Sequence, residues 1–386
     1  MTQERDCLKK IGGGTASSEK VRDSNIELFR IITMLLIVAH HFVVNSGLTA
    51  ADGPIYADPL SWRSLFLLIF GAWGKTGINC FVLITGYFMC KSQITARKFA
   101  KLFFEVIFYR VLIWLIFWIS GYELFTFKSA VMVFVPITKI ATNFTSCFLL
   151  FYLSIPFLNA LVLRLNEKQH IRLLLLSGFT YVVLGTVHRV TMNYVSWFIV
   201  LYFISSYIRL YPKKIFDNTK LLGALTLTSV FLSVVSVVAC AWLGTIIHKN
   251  KAFFFVTDSN TFLAVCTGIC SFLFFKNHKL KYSSLVNMVS ASTFGVFLIH
   301  SHSDAMRRWL WRDILDNVGH YRSSYMPLYA IGSVIAIFIF CTLIDQGRIQ
   351  LLEKPFFKFW DKHWDYFRSK FARTEYKILS GLGIRE

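Results

Sequence analysis

Charge is scarce in this chain: 16% of its 386 residues are Asp, Glu, Lys or Arg, where a soluble domain carries about 25%. Proline and cysteine are scarce too, at 7 and 8 residues. So few prolines beside 39 Phe exclude a disordered or collagen-like chain. Eight cysteines over this length are too thinly spread for a disulfide-stapled fold. Cys266 and Cys270 share a helix face, but no His or second Cys pair accompanies them, so no metal site is expected. No internal repeat is visible. Hydrophobic residues make up 55% of the chain, and its mean hydropathy is +0.54. The class that remains is an all-α, polytopic membrane helix bundle.

Ten apolar runs are long enough to cross about 30 Å of hydrocarbon at about 1.5 Å per residue. They lie at roughly 26–46, 64–89, 99–120, 144–164, 171–187, 193–211, 221–243, 252–275, 285–301 and 326–344. A shorter stretch, 127–137, reads as a re-entrant or interfacial segment. Ten crossings put both termini on one side. The Lys and Arg residues divide 28 to that side and 10 to the other, with Arg30, Lys75 and Arg110 inside spans. Both termini are therefore expected in the cytoplasm. The net charge of +20 is then a matter of topology, and no nucleic-acid partner is expected. The expected location is the cell membrane, multi-pass (the cytoplasmic membrane if the source is bacterial).

Three regions follow. Residues 1–24 form a polar tail without periodicity, expected to be disordered. Residues 25–345 form the membrane domain, whose first span reads as a signal anchor. Residues 346–386 alternate aromatic and basic side chains, a pattern suited to an anionic inner membrane surface.

Ionisable groups inside a span are costly and mark candidate sites. The first span, SNIELFRIITMLLIVAHHFVVNSG, concentrates them. At about 100° per residue, eleven residues return to within about 20° of the start and rise about 16.5 Å. Arg30 and His41 thus share a face, with Glu27 and Asn45 beside it, while His40 points about 100° away. The resulting stripe carries a cation near the cytoplasmic end and an imidazole deep in the membrane.

Arg30, ten residues and His41 form the first of five motifs. The others are GKTGINCFVLITGYF (74–88), FYLSIPFLN (151–159), STFGVFLIHSH (292–302) and CTLIDQGR (341–348). Together and in this order they resemble acyltransferase family 3, in particular its polysaccharide O-acetyltransferases. Two departures stand out: Thr85 where Ser is commoner, and Asn143-Phe144 where an aromatic pair often opens the fourth span.

The resemblance implies transfer of an acyl group, acetyl by preference, from acyl-CoA to a hydroxyl of a cell-envelope polysaccharide or lipid-linked glycan. Acetyl-CoA or another acyl-CoA would be a co-substrate, with no permanently bound cofactor. Its phosphates would meet Arg30 and the cluster Arg97, Lys98 and Lys101 at the inner face. Neutral His41 would take the proton from the attacking hydroxyl. Asn45 or Asn79 would meet the tetrahedral charge. His300 is marked as a family position that binds acceptor or assists proton transfer, and Glu27 as a partner of Arg30. The remaining alternative is a non-enzymatic flippase for a lipid-linked glycan. Such a protein should spread charge over several helices, whereas here it gathers mainly on one.

Overall fold

The computed structural model describes residues 23–137, 143–188, 190 and 193–364. Residues 1–22 of the expected polar tail and residues 365–386 of the basic-aromatic tail lie outside the described residues. Among those described, the chain is mostly helical and contains no strand.

All ten expected runs contain helix. We label α1 Ser24–Val44, α2 Trp62–Gly71, α3 Gly74–Met89, α4 Ala96–Ile119, α5 Phe127–Val133 and α6 Phe144–Val162. Then follow α7 Glu167–Val187, α8 Tyr194–Leu210, α9 Thr219–Ile246, α10 Phe262–Asn277, α11 Ser284–Ala291, α12 Thr293–His300 and α13 Met326–Arg348. Seven helical segments among the described residues are long and apolar enough to cross a membrane, or eight if a bent pair counts as one span. Helices α8 and α10 are shorter, and their 17 and 16 residues reach only about 25 Å. The polytopic bundle is therefore present, with a span count by length below the expected ten.

Asn, Ser and Thr punctuate the helix starts. Asn143, Asn166, Asn193 and Asn218 each accept the backbone N–H three residues on. Ser61, Thr95 and Ser283 do the same. Each such cap stabilises its helix by about 1 kcal/mol. The expected 127–137 half-span is the seven-residue α5, opened by a Thr126–Ser129 capping box. The carbonyls of Met132 and Val133 at its far end accept bonds from Arg110 on α4, at 2.5 and 2.9 Å. A cation inside a span is thereby spent on helix-terminal oxygens.

Helices α1 and α3 form the centre, enclosed by α2, α8, α10, α11, α12 and α13. Large apolar residues recur every three to four positions on the outside of α13, at Leu328, Ile331, Ile335, Ile339 and Leu343. That is the stripe a lipid-facing helix presents. Close approach of α1 depends on glycine. A Cβ at Gly71 would sit 2.8 Å from Val43, one at Gly77 2.8 Å from Ile37, and one at Gly74 2.2 Å from the His40 ring. This is the small-residue packing that membrane helices use. Gly74→Ala is accordingly expected to destabilise the protein by about 1–3 kcal/mol through overpacking. Gly332→Ala, where nothing lies within 4 Å, should not. Thermal unfolding in detergent compares the two.

Among the described residues, helix continues past residue 346. The α13 helix continues to Trp364 through a π-helical turn at Ile349–Glu353. This extension folds onto α4, with Phe356 stacked on Phe104 at 5.0 Å between centroids.

Candidate active site

The second apolar span is broken between Gly71 and Gly74, and the break frees backbone groups that a continuous helix would use. The Gly71 carbonyl takes a bond from His40 Nδ1 at 2.6 Å. His40 is thereby fixed against α2, one residue before His41.

The span containing α11 and α12 bends by 93° after His300, where the chain turns into the short helix Asp304–Arg308. His300 is fully buried at that bend. Its Nδ1 lies 2.6 Å from the Val296 carbonyl and its Nε2 lies 2.9 Å from His41 Nδ1. These contacts fix the protons. A carbonyl only accepts, so His300 Nδ1 carries the hydrogen, and in the neutral ring Nε2 is the acceptor. His41 must then donate from Nδ1, which leaves its Nε2 with a free lone pair. The partner of one ring nitrogen has set the chemistry of the other.

His41 faces a cavity of about 260 Å³. Its lining includes His40, Asn45, Lys75, Thr145, Tyr194, Phe297, Ser301 and Arg307. Asn45 ends α1, with its backbone N–H bonded to the His41 carbonyl. Its side-chain Nδ2 is buried and has no hydrogen-bond partner among the described residues. The site can therefore offer a proton acceptor, a free amide donor and nearby cations around one space. Single-helix geometry sets His40 aside, yet it lines the same cavity, because the break in the second span draws its ring inward. His300→Ala is expected to lower turnover by about 10–100-fold, as for an outer partner that orients an imidazole, with little change in KM. His300→Gln, whose carbonyl can still accept from His41, should recover part of the loss. Steady-state kinetics of the two variants provide the check.

The other expected site residues divide. Arg30 lies on α1 toward the opposite end, its side chain 29% exposed and its Nε 4.0 Å from Glu27. Glu27 is buried and accepts a bond from Ser290 on α11. Asn79 does not serve the cavity. Its Nδ2 donates to the carbonyls of Ser259 and Ala264 at 2.7 and 3.2 Å, and its Oδ1 accepts from Trp197 at 2.9 Å. It joins α3, α8 and α10 and is not among the residues lining the cavity.

The cations expected at the inner face are also engaged. Arg97 forms a two-pronged pair with Asp361 at 2.7 and 2.9 Å, Lys101 pairs with Glu353 at 2.7 Å, and Lys98 bonds Ser92 and Gln93. Arg97 and Lys101 thus hold the extension of α13.

Sequence reading alone passes over a buried charge network. Arg348 donates to Asp345 and Glu353 at 2.8 and 2.7 Å and reaches Glu105 at 3.3 Å. Tyr109 donates to Asp345 at 2.8 Å. Gly295 leaves room for the Asp345 carboxyl, which a Cβ would meet at 2.3 Å. Two of the five motifs thus meet here, and the network braces the helix that carries His300. The signal available in sequence was the Asp345–Arg348 spacing, which puts both on one helical turn.

A family model described as an acyltransferase domain matches residues 23–345. No curated protein and no solved structure matches the chain. The matched region contains α1 to α12, the His41–His300 pair and the whole cavity lining. The chain belongs to acyltransferase family 3 and is a membrane acyltransferase.

Proposed function

We propose that this acyltransferase moves an acyl group, preferably acetyl, from acyl-CoA to a hydroxyl of a cell-envelope polysaccharide or lipid-linked glycan. The observation that carries the reading is the chain from Val296 carbonyl through His300 to His41. It leaves His41 Nε2 as a base facing the cavity. As the acceptor hydroxyl attacks the thioester carbonyl, Nε2 takes its proton, and the hydrogen bond to His300 Nε2 steadies the charge on His41. The carbonyl π bond opens onto oxygen, where the free Asn45 amide can donate to it. Collapse of that intermediate breaks the carbon–sulfur bond. The departing thiolate recovers the proton from His41, so ester and free CoA thiol are the products.

The donor would enter from the Arg30 end, with its phosphates on the partly exposed guanidinium and its arm running along α1 to His41, a rise of about 16.5 Å. Arg30→Lys keeps the charge without the planar fork, and Arg30→Ala loses both. Acyl-CoA affinity of purified protein in nanodiscs is expected to fall in that order, by about 1–3 kcal/mol for the alanine variant. The function itself is tested by comparing envelope glycan mass with and without the gene, where O-acyl groups should disappear with the gene. Glycan that stays unacylated in both strains while its export depends on the gene would favour the flippase.

A further inference from the structure

The cavity beside His41 has a one-sided charge. Its lining contains Lys75 and Arg307 and no Asp or Glu. Lys75 lies on α3 within an apolar segment, where an ammonium is costly to keep. Of its three donors, one goes to the Tyr194 hydroxyl at 2.8 Å, a neutral partner. Arg307 pairs with Asp304 at 2.8 Å, but the Asp304 side chain is 89% exposed, and a solvent-facing pair of this kind is weak. Asn45 adds an unpartnered buried N–H group. Asp258 acts on Lys75 only through space and does not line the cavity, so a donor-rich space with no acid in its lining calls for an anion.

The phosphates of an acyl-CoA are poor candidates for that anion. They belong at the Arg30 end, about 16.5 Å along α1 from His41. We propose that the acceptor itself is anionic: a sugar bearing a carboxylate or phosphate group, held between the Lys75 ammonium and the Arg307 guanidinium so that its hydroxyl falls to His41. This rests on the acyl-transfer reading of the same cavity. The anion has a second use. As His41 takes a proton, positive charge builds beside two cations, and a negative group between them offsets that repulsion. A neutral sugar does not. Selection of the acceptor and activation of the base thus share one contact.

The test is equilibrium binding to the full chain in nanodiscs. Three probes are compared: an oligosaccharide ending in glucuronic acid, the same oligosaccharide with its carboxyl reduced to the alcohol, and a lipid-diphosphate-linked glucose. At least one anionic probe should bind about tenfold or more tightly than the reduced sugar, with the preference falling as salt rises. Lys75→Met should bring that anion within about twofold of the neutral sugar, whereas Lys75→Arg should keep the preference in a protein that is demonstrably folded. Preference for the glucuronate places the anion on the glycan; preference for the diphosphate places it on the lipid carrier. Equal binding of all three probes, or a preference that survives Lys75→Met, would overturn the proposal. Because binding is read without turnover, an anion preference in a protein that transfers no acyl group would count against the acyl-transfer reading alone.

Discussion

His41→Ala is expected to lower acyl transfer by about 10²–10⁴-fold, the contribution of a positioned general base. Its membrane expression and acyl-CoA affinity should stay near wild type. In the proposed mechanism the imidazole would act on the acceptor proton in the transition state, while the donor would be held mainly through its distant phosphates. His41 is only partly buried, lines an open cavity, and has one hydrogen-bond partner among the described residues, His300 at Nδ1. Removing it therefore strips no cluster of charges and opens no sealed core. Turnover and acyl-CoA binding, measured on one nanodisc preparation, separate these effects. Equal loss of both would turn His41 into a binding or structural residue.

Arg348→Met is expected to be the most destabilising single change in the bundle, at about 3–5 kcal/mol, because it leaves buried carboxylates without their central cation. Glu105, Asp345 and Glu353 are all buried and all converge on that guanidinium, with Lys101 as the second cation. The exposed Arg97–Asp361 pair offers the contrast, its side chains 51% and 50% exposed. Arg97→Gln should cost no more than about 1 kcal/mol. Thermal unfolding in one detergent ranks the two. Arg348→Met combined with Glu105→Gln should recover part of the loss, since one of the stranded charges goes with it. Because Asp345 packs on Gly295, the single variant should also lower turnover by displacing α12 and His300.

The features legible in sequence were those that live on one helix. The eleven-residue spacing of Arg30 and His41 and the apolar lengths both depend on local geometry. Contacts made across the bundle were not legible. Glu27 meets Ser290 and His41 meets His300, each pair about 260 residues apart, and no periodicity reports such a meeting. The same gap explains His40, whose angle on α1 says nothing of the Gly71 carbonyl that draws it in. It explains Asn79 too, whose polar side chain inside a span looked chemical and instead ties three helices. Arg97 and Lys101 had the charge and position for phosphate, but the extension of α13 folds back on them. Lys75 was visible from the start as a cation in a span. Its meaning required the cavity, where no lining carboxylate neutralises it.

The role proposed for His41 is to accept the proton of an acceptor hydroxyl during transfer from acyl-CoA. Its most direct measurement gives nanodisc-embedded wild-type and His41→Ala protein acetyl-CoA carrying a labelled acetyl group, together with an envelope glycan fraction, and follows both free CoA thiol and labelled glycan. The expected result is equal rates of thiol release and ester formation in the wild type, and near loss of both in the variant. Labelled glycan formed as fast by His41→Ala as by the wild type would contradict it.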